Sequence, residues 1–269
     1  MNQMPNKLTL KQLKQQLAAI EDPTDSLLSA LKSDDRVGVQ KLLQQWHTTY
    51  DQKCAREERF RHMRHYEGHY LNKGATKIVG VDEVGRGPLA GPVVVAAVAL
   101  PGDIVDVGLD DSKRLSHSKR AELVNWIKKE AIAYKIVAKD SKVIDHYNIL
   151  EATRMAMTEA VMAIADDQTV VLTDAMKLPI SLKQIDLIKG DQRSVSIAAA
   201  SILAKEYRDG LMKEYAELYP HYDFQHNMGY GTKKHLQGLS LYGATPIHRL
   251  SFSPVMTSVQ SLRSNKGIK

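Results

Sequence analysis

The feature that most constrains this chain is a change of texture at Lys73-Gly74, after which short β-rich runs stand first in series and then alternate with helical segments. Upstream, residues 6–70 carry apolar side chains at helical spacing: Leu8, Leu10, Leu13 and Leu17, then Leu27, Leu28, Leu31, Val37, Val39, Leu42 and Leu43. Asp22-Pro23 breaks the first of these segments from the second. The polar stretch DQKCAREERFRHMRHYEGHY (51–70) suits an exposed helix, and His47, His62, His65 and His69 read as solvated rather than metal-binding.

Downstream, KIVGVDE (77–83) and PVVVAAVAL (92–100) are strand-type runs joined by GRGPLAG, the pattern of an antiparallel pair. Ser116 caps a helix to about Ala133, with Leu123, Val124, Ile127 and Ala131 on one face, and a third strand falls at YKIVAK (134–139). Asn148, with Glu151 at the capping-box position, starts a helix to about Ala165. TVVLTDA (169–175) is a buried strand ending in Asp174, and QIDLIKGD (184–191) is a further strand ending at Asp191. The small-residue helix VSIAAASILAKEYRDGLMKEYAEL (195–218) follows. Three strands in series and then alternation imply an α/β fold, a mixed sheet with helices packed on it. The expected division is a helical N-terminal extension over 1–73, a main domain over 74–257 with a C-terminal helical part, and a mobile polar tail over 258–269.

Composition narrows the setting. The formal charge of +6 is compatible with a polyanionic partner. Residues 1–73 hold 12 Lys+Arg against 9 Asp+Glu and residues 74–269 hold 25 against 22, so each part carries +3 and the fold itself must gather any basic surface. Cys54 is the single cysteine, which excludes an intramolecular disulfide framework and a cysteine-rich zinc site. The start has no secretory h-region and no apolar run approaches the ~18 residues of a membrane span, so the expectation is a cytoplasmic protein.

Asp82, Glu83, Asp174 and Asp191 all fall at or just past expected strand ends, where open α/β sheets place their functional crevice. Four acids meeting there would repel one another unless a cation neutralised them. Mg2+ or Mn2+ with oxygen ligands does so, and paired ions of this kind activate water and stabilise the leaving oxygen of a phosphodiester. Any one of these acids alone reads as a solvent-facing turn residue.

The ordered set GVDEVGRGPLAGPVV, DSKRL (111–115), TDA, KGD, SIAAASILAKEYRD (196–209), GYGT (229–232) and HRLSF (248–252) resembles bacterial ribonuclease HII from residue 77 to about 254. The resemblance implies a ribonuclease H-like mixed five-stranded sheet flanked by helices. It further implies an endoribonuclease that hydrolyses the RNA strand of RNA–DNA hybrids and nicks on the 5′ side of single ribonucleotides in duplex DNA, leaving 3′-hydroxyl and 5′-phosphate ends. Its partners are then hybrid and ribonucleotide-containing duplex DNA, with no membrane, and the chain is expected to act as a monomer.

Position by position, Asp82 and Glu83 match the family's acid pair, Asp174 its third metal-binding acid and Asp191 its fourth acid. Gly85, Arg86 and Gly87 match the GRG motif that contacts the ribose 2′-OH, the group that separates RNA from DNA. Tyr230 matches the tyrosine that packs against the nucleotide at the RNA–DNA junction. Lys113, Ser196, Ser201, Lys205 and Arg208 match further family positions where phosphate contact is plausible, and Lys189, Arg193, Lys233 and Lys234 are additional cations able to track phosphates. By itself GRGPLAG reads as a tight turn, Tyr230 as a half-buried aromatic, and the small residues of SIAAAS as close helix–sheet packing. His226, His235 and His248 read as surface or turn residues ahead of general acids or metal ligands. The sister type, ribonuclease HIII, carries lysine between the motif glycines, and Arg86 stands against it. Residues 1–70 lie outside the family's minimal catalytic unit and read as an interaction or substrate-clamping appendage.

Overall fold

The computed structural model describes residues 8–265, with side chains described to residue 260. The chain divides into two compact units, Met1–His62 and Met63–Lys269. In the first, α1 (Leu10–Ala18) starts on a capping box between Thr9 and Gln12, and α2 (Ser26–Leu31) is capped by Asp25. These and α3 (Val37–Met63) close over Leu13, Leu17, Leu28, Leu31, Val39 and Leu43, the leucine stripe legible in the sequence.

The second unit includes α4 (His65–Leu71), which lies within the segment read as the extension. Its Tyr66, Tyr70 and Leu71 pack on a cluster of Ile78, Val170, Leu172, Leu187 and Ile197. The strands are β1 (Ile78–Val84), β2 (Val93–Ala99), β3 (Ala133–Lys139), β4 (Val170–Asp174) and β5 (Lys183–Leu187). They form one mixed sheet in the order β3-β2-β1-β4-β5, antiparallel from β3 to β1 and parallel from β1 to β5.

Helices cover both faces. On one, α6 (Ser141–Met162) lays Ala156, Met157, Ala160 and Val161 against Val79, Val81 and Val171. Asn148 does cap the second part of this helix, its Oδ1 accepting from Leu150 and Glu151 N–H at 2.9 and 3.1 Å, and its positive φ of 67° marks the kink. The turn before it, capped by Asp140, carries no leucine stripe and was not expected. On the other face lies α7 (Val195–Leu218), with α5 (His117–Glu130) packed on its outside. The expected Ser116 cap is present, accepting from Lys119 N–H.

One expectation needs correction. The strand expected over 184–191 stops at Leu187, because Lys189 turns left-handed (φ 56°) and starts a 3-10 turn over Gly190–Gln192. Helix α10 (Ser253–Asn265) enters the polar tail, where Ser258 Oγ donates to Leu239 O at 3.0 Å; residues 266–269 of that tail lie outside the described residues. Among the described residues no helix is long and apolar enough to cross a membrane.

Helix α7 reaches β1 through Gly80. A Cβ built there would fall inside the backbone of Ser196–Ile197, which is rigid and cannot swing away. Gly80→Ala should therefore destabilise the fold by about 3 kcal/mol, the upper range for overpacking. Urea unfolding checks this, and an unchanged midpoint would mean that α7 is free to shift.

Candidate active site

Because β1, β4 and β5 run parallel, their C-terminal ends share one edge of the sheet. Asp82 and Glu83 lie near the end of β1, and Asp174 closes β4. Asp191 lies past β5 in the 3-10 turn, which is tied to β4 by Gly190 N–H donating to Asp174 Oδ1 at 3.1 Å. Successive strand side chains face opposite ways, so Asp82 shares the α7 face with Gly80 while Glu83 shares the other with Val81.

Asp82 and Asp191 are buried, Glu83 and Asp174 are half-buried, and the acids sense one another. Burial first, and then the Glu83 charge, push the Asp82 carboxyl well above its ordinary value; Asp174 adds to this, while Glu83 N–H at 2.8 Å and the Ser201 hydroxyl oppose it. Glu83 is raised by burial, relieved by Arg86 at 3.2 Å, and raised again by Asp174. Asp191 is raised by burial, by Asp111 and by Asp174, and lowered by Lys113. Asp111, buried at 8% exposure, is a neighbour of the site that sequence reasoning passed over inside DSKRL.

These residues fit a divalent cation. Glu83 Oε2 is buried with no hydrogen-bond partner, and the charges of neighbouring carboxylates help raise three of the acids. Among the described residues no three His, Cys, Asp or Glu side chains already stand close enough to grip one ion. Mg2+ does not require that, since it is commonly held by one or two carboxylates and keeps several waters.

Beside the acids runs the glycine turn. Gly85 adopts φ +92°, and a Cβ there would also collide with the Arg208 guanidinium and stand 2.8 Å from Pro92 O. Arg249, fully buried, donates to the carbonyls of Gly85, Arg86 and Gly91. Arg208 is buried likewise and donates to Pro92 O, Ala90 O and Met228 O at 3.0, 3.2 and 2.9 Å. Where a phosphate contact was expected of Arg208, all three guanidinium nitrogens donate to backbone carbonyls. Arg249 was missed altogether, because a lone arginine in HRLSF looks like surface.

The other expected contacts separate in the same way. Ser196 is buried beneath Gly80, its N–H donating to Glu67 at 3.1 Å. Ser201 bonds Ser112 Oγ at 2.8 Å and supports Asp82. Lys205 pairs with Asp209 at 2.8 Å, and Arg193 bonds Tyr66. Lys113 is exposed beside Asp191, Arg86 is exposed, and Tyr230 is half exposed with its ring next to Gly87. His226 is exposed as expected, whereas His235 and His248 are buried.

The sheet order and the acids at its parallel ends define a ribonuclease H-type fold. Solved structures agree: ribonuclease H2 from Pyrococcus horikoshii OT3 superposes with a TM-score of 0.62 at 23% identity, over 71% of this chain and all of that one. Bst-RNase HIII in complex with Mn2+ gives 0.55 at 19%, over 72% and 73%. The Ribonuclease HII profile matches residues 79–255, and the Ribonuclease HII N-terminal domain profile matches residues 9–71. Ribonucleases HII of Enterococcus faecalis and Bacillus subtilis are 48% and 46% identical, covering 93% and 94% of this chain and 98% and 99% of theirs. The chain belongs to the ribonuclease HII family.

The raised Asp82 carboxyl has a consequence for stability. A carboxyl raised in the folded state weakens folding above the unfolded value near ~4, and the penalty disappears as pH falls below that value. In chelator, Asp82→Asn should melt higher than wild type at pH 8, with the gap closing towards pH 4. A gap independent of pH would show that Asp82 carries no such penalty.

Proposed function

We propose that the acids and the glycine turn divide the work of this ribonuclease HII, the acids cutting and the turn choosing. The enzyme cleaves RNA in RNA–DNA hybrids and at ribonucleotides embedded in DNA. The observation that carries the division is the placement of Asp82, Glu83, Asp174 and Asp191 at one sheet edge, with Gly85–Gly87 continuing directly from β1.

In this reading Asp82, Glu83, Asp174 and Asp191 hold Mg2+ or Mn2+. Such an ion supplies an activated water and charge stabilisation at the leaving oxygen. Ser201 holds the Asp82 carboxylate and Arg86 restrains Glu83, so both acids are oriented before substrate arrives. The carbonyls of Gly85 and Arg86 are committed to Arg249, which fixes the turn that meets the ribose 2′-OH. Gly87, lacking a side chain, lets the sugar approach the backbone, and Tyr230 packs on the nucleotide at the junction. Lys113 meets a phosphate next to Asp191. Every one of these groups comes from one chain, so a monomer suffices. Lys205, Lys189, Lys233 and Lys234 add sequence-independent attraction to the duplex.

The test compares all-DNA duplex, RNA–DNA hybrid and duplex DNA with one ribonucleotide, each with Mg2+, Mn2+ or chelator. Cutting should be confined to the two RNA-containing substrates, need metal, fall 5′ to the single ribonucleotide and leave 3′-hydroxyl and 5′-phosphate ends. Asp82→Asn and Asp174→Asn should lose turnover by at least about a hundredfold while retaining hybrid binding. Cleavage of all-DNA duplex, or turnover in chelator, would refute the reading.

A further inference from the structure

Two buried histidines remain outside the division of labour above. His235, on α9 (Lys233–Tyr242), is 0% exposed, and His248, on the segment before α10, is 1% exposed. Their Nε2 atoms stand 3.0 Å apart. Tyr222 and Phe224 enclose them, with ring centroids 5.0 Å from His248 and 5.1 Å from His235 respectively.

We propose that His235 and His248 form a neutral two-imidazole relay that positions Tyr230 against the Gly85–Gly87 turn, and so sets how tightly the enzyme holds the nucleotide at the RNA–DNA junction.

The direction of the relay follows from its fixed end. Thr245 N–H donates to His248 Nδ1 at 2.9 Å, and Thr245 Oγ1 lies 2.8 Å from the same nitrogen; with Nδ1 accepting from the backbone, a neutral ring carries its proton on Nε2. That proton faces His235 Nε2, which must then accept. The remaining His235 proton sits on Nδ1, 2.9 Å from the Tyr230 carbonyl, and donates to it. This arrangement of protons satisfies every ring nitrogen of the pair. A second proton on the pair would set two N–H groups against each other across 3.0 Å. Burial independently pushes both imidazoles down, His248 to about 3, which keeps them neutral.

The relay is anchored to the glycine turn at its other end. His248 forms a β-bridge with Ala90, and Arg249, next along, clamps Gly85, Arg86 and Gly91. Leu89 N–H also donates to Gly229 O at 2.8 Å, one residue before Tyr230. Tyr230 O accepts a second hydrogen bond, from Thr232 N–H at 2.8 Å, so the carbonyl is held from two sides. The ring is left half exposed, with Cε1 3.5 Å from where a Gly87 Cβ would stand. His235 and His248 are therefore positioning residues, and their effect runs through Tyr230. The proposal rests on reading Tyr230 as the residue that packs on the junction nucleotide.

The test uses the whole protein and duplex DNA with one ribonucleotide. His235→Phe keeps a ring against Tyr222 and Phe224 but removes both nitrogen bonds. It should raise KM about fivefold, the worth of one hydrogen bond, with kcat nearly unchanged. Tyr230→Ala should raise KM too, and His235→Phe should add nothing in the Tyr230→Ala background. Imidazole 15N shifts of the wild type should show both rings neutral at pH 7, with the proton on Nδ1 of His235 and on Nε2 of His248; this measurement decides the relay even if His235→Phe folds poorly. A full KM rise from His235→Phe in the Tyr230→Ala background would overturn the proposal, as would no rise beside a damaging Tyr230→Ala, or reversed or doubly protonated rings. Tyr230→Ala binding as tightly as wild type, with the predicted tautomers present, would instead show that the reading of Tyr230 had failed, and the functional role of the relay with it.

Discussion

The contact on which the site depends is the approach of α7 to β1 at Gly80. With no side chain in the way, the helix lies directly on the strand and the two then run alongside each other. From Ser196 to Arg208 the helix advances ~18 Å and from Gly80 to Gly85 the strand covers ~17 Å, so the two stay in register. Ser196 meets Gly80, Ser201 supports Asp82, and Arg208 fills the space beside Gly85. One helix thereby seats the packing contact, the Asp82 carboxyl and the glycine turn at successive levels. Glu67 finishes the arrangement at its N-terminus, its buried carboxylate accepting from Ser194 Oγ and Ser196 N–H.

Two opposite electrostatic problems stand side by side on this frame. Asp82, Glu83 and Asp191 lack enough positive charge around them, and burial together with neighbouring carboxylates raises all three. The arginines behind the turn are buried without carboxylates, and they answer with backbone carbonyls. The first cluster calls for a mobile cation; the second is already satisfied and rigid. The proposed division, metal on the acids and sugar on the turn, keeps these two tasks on separate groups.

Much of this was legible in the sequence. Strand-type runs in series and then in alternation give the mixed sheet, and acids at the ends of those runs mark its working edge. What escaped was set by contacts distant in sequence. Arg208 and Arg249 look like surface cations until Ala90, Gly91 and Pro92 bring their carbonyls to them. His235 and His248 lack carboxylate neighbours in sequence because they are partners of each other, thirteen residues apart. Asp191 was expected on a strand, and the left-handed Lys189 that ends β5 belongs to a residue type that gives no warning of it.

The central claim is that carboxylates from β1, β4 and the turn after β5 share bound divalent metal. Anomalous diffraction from crystals soaked in Mn2+ tests it without any assay of turnover. The account predicts manganese peaks at the sheet edge, within bonding distance of carboxylate oxygens of Asp82 and Asp174 and next to Glu83 and Asp191. Manganese found only elsewhere, or at this edge without those carboxylates, would contradict it.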